Sequence, residues 1–109
     1  MTRPVWTIDA LLRDADGTVA ATVDGGNVLA DGWSVPERQG PLMVWSGSLA
    51  DTLDEATPMN WMATGRAALD EWWRARRDAF DEARRLWIRP HCRHVLSDPP
   101  SCLSFLRDH

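Results

Sequence analysis

Between Thr57-Pro58 and Pro90 the chain carries no proline, and its apolar residues recur at helical spacing. Thr before Pro is a helix-start signal, because Thr can cap the first turn and Pro needs no amide partner there. On a helical wheel, residues 66–89 separate into two faces. Arg66, Asp70, Arg74 and Asp78 follow one another at i+4 with alternating sign, and Arg77, Asp81 and Arg85 do the same one stripe over. Such ladders stabilise a solvated face. Leu69, Trp72, Trp73, Ala79, Phe80, Ala83, Leu86 and Trp87 fall on the other side, as in an amphipathic helix packed on a core. The spacing predicts one long helix over about residues 58–89, with Gly65 as the place where it would bend or divide. At 1.5 Å per residue, a helix of that length spans roughly 48 Å. A domain this small has a radius of gyration of about 13 Å, so such a helix must overhang, bend or pack on a second copy.

The preceding residues alternate with period two. Trp6, Ile8, Ala10 and Leu12 share one side of residues 5–13, and Val19, Ala21 and Val23 share one side of residues 18–24. Asp14-Ala-Asp-Gly17 and Gly25-Gly-Asn27 supply turns between strands. Residues 28–35 read as a third, less regular strand and residues 42–46 as a fourth. Ser48 and Asp51 partly match a capping box, which predicts a short helix over 48–56. Residues 90–109 form a tail in which Asp98-Pro-Pro caps a final helical turn or two. The expected fold is α+β: a small antiparallel β-meander of three to four strands over about residues 5–46, packed on the long helix, with a short irregular or helical tail. At 109 residues the expectation is one domain over 1–109.

Charge and composition exclude several function classes. The chain has 12 Arg, no Lys and 16 acidic residues, a net charge of −4. Residues 1–56 carry −6 of net charge and residues 57–109 carry +2. Net acidity argues against direct binding of nucleic acid, which needs a basic footprint. No apolar stretch reaches the length of a membrane span, and the start lacks a secretory leader. A cytoplasmic protein is expected. Seven Trp enlarge what so short a chain can bury; Trp6, Trp33, Trp45 and Trp61 are assigned to the core.

Arg76 breaks the wheel, since it falls in the middle of the apolar sector beside Trp72, Trp73, Ala79 and Phe80. An unpaired charge is costly to bury. Structurally, Arg76 lies over a Trp ring or pairs with an acid from the N-terminal half. Functionally, this face meets a partner, where Trp and Arg are the usual energetic anchors. On that second reading Arg76, Trp72, Trp73, Phe80 and Trp87 are the interface candidates.

Both Cys and all three His lie in the last nineteen residues: His91, Cys92, His94, Cys102 and His109. Cys and His together suit a tetrahedral Zn²⁺ site, and Cys92, His94 and Cys102 with either His91 or His109 make a candidate structural set. The spacing matches no zinc finger. Two free Cys with exposed His, or a Cys92–Cys102 disulfide in an oxidising compartment, explain the same residues. No other cofactor is indicated.

Catalytic patterns are missing. Ser46-Gly-Ser48 is not a G-x-S-x-G elbow, Asp14-x-Asp16-Gly17 lacks the remaining ligands of a calcium loop, and no phosphate-binding glycine motif occurs. The sequence therefore points to a small non-enzymatic protein-binding factor, of the inhibitor, immunity or host-modulating kind. Its acidic half suits a basic or nucleic-acid-binding protein partner. Two alternatives stand beside it. One is a structural subunit of a homodimer, larger homo-oligomer or phage-type assembly, with the helix as seam. The other is a zinc-stabilised nucleic-acid-binding module acting through Arg84, Arg85, Arg89 and Arg93.

Overall fold

The computed structural model describes residues 26–37 and 41–109. Two strands, β1 (Leu42–Trp45) and β2 (Leu86–Arg89), pair in parallel. Leu42 lies opposite Leu86 and Trp45 opposite Arg89. Parallel neighbours need a crossover. Helix α1 (Ala63–Arg76) supplies it, entered through a 3-10 turn at Pro58–Trp61 and left through another at Arg77–Ala79. Helix α2 (Pro99–Asp108) follows β2. The described residues thus form a small α+β arrangement around one β–α–β crossover.

This replaces the antiparallel meander expected from the sequence. The strands at 5–13 and 18–24 lie outside the described residues. Residues 28–32 form turns and bends, and 33–35 pair in no strand: the Ala30 N–H bonds back to the Asn27 carbonyl, and Gly32 holds a φ of +79°. Residues 42–45 are a strand, but the partner is parallel and comes from the far end of what read as a helix.

The long helix is cut at Arg76. Just beyond it, Asp81 folds its carboxylate onto its own backbone, with Oδ1 accepting the N–H of Ala83 at 2.9 Å and of Arg84 at 2.8 Å. Local bonds of this kind compete with helix. Leu86, Trp87 and Ile88 are then all buried. Three consecutive residues cannot share one helix face, but a parallel strand is buried on both of its sides. A straight helix of roughly 48 Å would also exceed the longest dimension of the fold, 38 Å.

Residues 48–56 are bends and turns instead of a short helix. The Ser48 hydroxyl, the cap expected for that helix, donates to the Glu55 carbonyl and accepts from the Ala50 N–H, both at 3.1 Å. Helix α2 is longer than the tail pattern implied. Asp98 caps it by accepting the Ser101 N–H at 2.8 Å, and the Ser101 hydroxyl accepts the Asp98 N–H in return.

Helix α1 turns Gly65, Leu69, Trp72 and Trp73 inward, the i, i+4, i+7, i+8 stripe of a core-facing helix. Leu42, Val44, Leu86 and Ile88 meet it from the strands, and Phe105 and Cys102 from α2. Gly65 neither bends nor divides the helix. It permits a close approach: a Cβ there would stand 2.5 Å from the Asn60 carbonyl oxygen and 2.6 Å from that of Met59. Among the described residues no helix is long and apolar enough to cross a membrane.

Candidate interaction surface

Four polar residues are buried among the described residues: Ser46, Ser48, Asn60 and His94. All four lie in the loops that follow the C-terminal ends of the parallel strands or join β1 to α1. In open parallel sheets, that end is where ligands bind. Here the buried polar groups are engaged with the protein's own backbone. The Ser46 hydroxyl accepts the Leu96 N–H at 3.0 Å. Asn60 donates to the Ser48 hydroxyl and to the Arg93 carbonyl, each at 2.8 Å, and accepts the Leu49 N–H at 2.7 Å. Gly47 has a φ of +89°, and a Cβ on it would come 2.8 Å from the Leu29 side chain. The loops are therefore pinned together, and Asn60 is the central peg.

Around that peg the usual distribution of side chains is reversed. Asn60 is 1% exposed, whereas its neighbours Met59, Trp61 and Met62 are 44%, 52% and 58% exposed. Scattered exposed apolar residues need no explanation, but a buried polar residue amid contiguous exposed large apolar ones does. Trp61 is also held in place, since its indole N–H donates to the His94 carbonyl at 3.2 Å. A fixed, half-exposed indole has little side-chain entropy left to lose on contact.

Trp61 and Met62 stand at the edge of an open groove of about 590 Å³, between the start of α1 and the start of α2. Arg66, Cys92, Asp98 and Ser104 also line it. The Arg66 guanidinium is already occupied. It bonds Asp70 at 2.8 Å, Asp108 at 2.5 Å and the Ser104 hydroxyl at 2.9 Å, and lies 5.4 Å over the Phe105 ring. Burial opposes ionisation of Asp70, but the hydrogen bonds from His109 and Arg66 outweigh it and hold its carboxyl below the ordinary value. Asp98 is also held low, by the backbone N–H of Ser101 and then by its hydroxyl. The groove thus has an ionised carboxylate at Asp98 and an arginine faced by two carboxylates.

The interface candidates from the sequence lie elsewhere. Trp72, Trp73, Phe80 and Trp87 are 8% exposed or less and pack inside the domain, out of a partner's reach. Arg76 is half-buried, with its guanidinium carbon 5.4 Å from the Trp33 ring and 5.9 Å from Trp72. It also donates to the Trp33 carbonyl at 3.4 Å. Trp61, assigned to the core on sequence, is exposed. A signal for it was present in the string Met59-Asn-Trp-Met62, where an asparagine interrupts large apolar residues just after Thr-Pro.

The tail residues are likewise dispersed. Cys92 is exposed and Cys102 buried in the core, where burial, then the Asp98 charge, push its thiol pKa up. His94 is buried, with Nε2 donating to the Leu53 carbonyl at 3.1 Å and Nδ1 without a partner. Its burial lowers its pKa. His91 lies against His94, ring centroids 4.8 Å apart, and its Nδ1 accepts the Arg93 N–H at 3.1 Å while standing 3.8 Å from the Cys92 sulfur. His109 bonds Asp70 at 2.8 Å. Among the described residues, no three His, Cys, Asp or Glu side chains are grouped to hold a metal ion. Three of the four arginines proposed for nucleic acid are turned to the chain itself: Arg84 to the Pro36 carbonyl, Arg89 over the Trp45 ring and Arg93 to the Asp54 carbonyl. The chain matches no family model, no curated protein and no solved structure.

Proposed function

We propose that this protein acts by binding another protein, without catalysis, through the surface formed by Met59, Trp61 and Met62 and the groove beside them. The reading rests on one observation: the polar residue of the Pro58–Trp61 turn is buried and the apolar ones are exposed. Solvent alone favours the opposite arrangement. Aromatic and Met side chains are the types enriched at interfaces, and a Trp held by a hydrogen bond is a preorganised anchor. The engagement of Ser46, Ser48 and Asn60 with backbone groups supports a structural role for the polar cluster.

The test is capture from an extract of the native host with two baits, the natural chain and a Trp61→Ser, Met62→Ser variant matched to it in thermal stability. A partner retained by the first and lost by the second is expected, and it should slow hydrogen exchange at residues 59–66. Equal retention by both baits would sink the proposal.

A further inference from the structure

The chemistry of the groove narrows what kind of side chain the partner brings. Two formally charged residues line the groove, Arg66 and Asp98. Arg66 gives the groove no free positive charge, because Asp70 and Asp108 both bond its guanidinium. Asp70 is bonded by His109 as well, so the charges at that end are matched among themselves. The nearby Arg93 directs its guanidinium to the Asp54 carbonyl. Asp98 uses Oδ1 to cap α2, and a carboxylate has a second oxygen able to accept further bonds. Its residue is exposed. The rim therefore presents a carboxylate and a fixed indole on one concavity, with the Met62 thioether beside them.

We propose that this groove receives a cationic side chain, a guanidinium or ammonium on a basic peptide segment of the partner, with its aliphatic stem against Trp61 and Met62 and its charge toward Asp98. This rests on the protein-binding reading above and adds the partner's chemistry to it. A cation over an indole face is attracted by the ring quadrupole, and Trp is the best such ring. The long aliphatic stems of Arg and Lys cover apolar surface while their heads reach a charge. An acidic segment would meet the exposed Asp98 carboxylate with like charge.

Three short capped peptides, identical except for two central residues (Arg, Glu or Gln), decide the matter. Each is titrated into the isotope-labelled full chain and followed by two-dimensional NMR. The Arg peptide is expected to shift the Trp61 indole and the amides of Ser97, Asp98 and Ser101, and to bind more weakly as salt rises. Asp98→Asn keeps a good helix cap while removing the charge, and should weaken that binding about threefold. Trp61→Leu should weaken it roughly fivefold. Equal binding of the Glu or Gln peptide, or no effect of Asp98→Asn, would overturn the cationic assignment and leave the surface itself standing. No shift with any of the three overturns the assignment as well. In that case the two-bait capture separately decides whether the surface falls with it.

Discussion

The Asn60 side-chain amide donates to the Ser48 hydroxyl at 2.8 Å inside the fold, joining the loop after β1 to the turn before α1. This bond and its companions to Leu49 and Arg93 keep the Met59–Met62 segment turned outward. The proposed surface therefore depends on a residue that is itself almost wholly buried.

Asn60→Ala should cost about 3 kcal/mol, because it takes their Asn60 partner from the part-buried Leu49 N–H and Arg93 carbonyl and opens a space beside Ser48. Trp61→Ala removes a half-exposed ring and should cost at most about 1 kcal/mol. Urea denaturation of the two variants checks the contrast, and equal costs would contradict the peg role.

Gly65→Ala carries a reversed sign. In an ordinary helix interior the change stabilises by about 1 kcal/mol. Here the new methyl meets two backbone carbonyl oxygens, at 2.5 and 2.6 Å, and neither can rotate away. A loss of about 2 kcal/mol is expected, of the size of other overpacking substitutions. A melting temperature equal to or above that of the natural chain would refute the close approach.

His94 gives the fold a dependence on pH. Its folded pKa lies below its ordinary value because the ring is buried. Above about pH 6.5 neither the folded nor the unfolded state holds the extra proton, and its contribution is fully present. As pH falls below that, the unfolded chain takes up the proton first and stability declines. Asp70 acts in the same direction only at more acid pH, since its carboxyl titrates below the ordinary range. Denaturation midpoints between about pH 7 and pH 5 should fall for the natural chain and fall less for His94→Gln, which retains a donor for the Leu53 carbonyl. Parallel slopes would assign the effect elsewhere.

Arg76 ties the segment around Trp33 to the end of α1. Arg76→Gln should destabilise by about 1 kcal/mol through loss of the cation–ring contacts. In a double-mutant cycle, Trp33→Leu should cost less when Arg76 is already Gln than when it is not. Additive costs would mean that the stacking contributes nothing.

The sequence made α1 legible because Leu69, Trp72 and Trp73 recur at helical spacing over residues whose neighbours are charged. The β1 strand and the Asp98 cap were legible for equally local reasons. The strand β2 was not. Leu86-Trp-Ile follows in phase with the helical stripe, and the Arg77, Asp81, Arg85 ladder fits a helix equally well. What decides otherwise is pairing with Leu42–Trp45, a contact that local periodicity does not encode. The same limit applies to the candidate surface. Trp61 reads as core by residue type, and only the four-way bonding of Ser48, Leu49, Asn60 and Arg93 turns it outward. The Cys and His cluster in sequence, yet β2 and α2 send Cys92 to the surface and Cys102 to the core.

The parallel pairing of β1 with β2 also governs how the chain reaches this state. Leu42 and Leu86 are forty-four positions apart, and closing so long a loop carries an entropic cost before any strand contact offsets it. Proteins that rely on such distant contacts fold slowly. Until α1 has formed and shortened the path, Leu86, Trp87 and Ile88 have no partner strand and stay open to water. The strand pairing thus also covers three consecutive apolar residues, and a chain in which it has not yet formed offers them for association with its own kind.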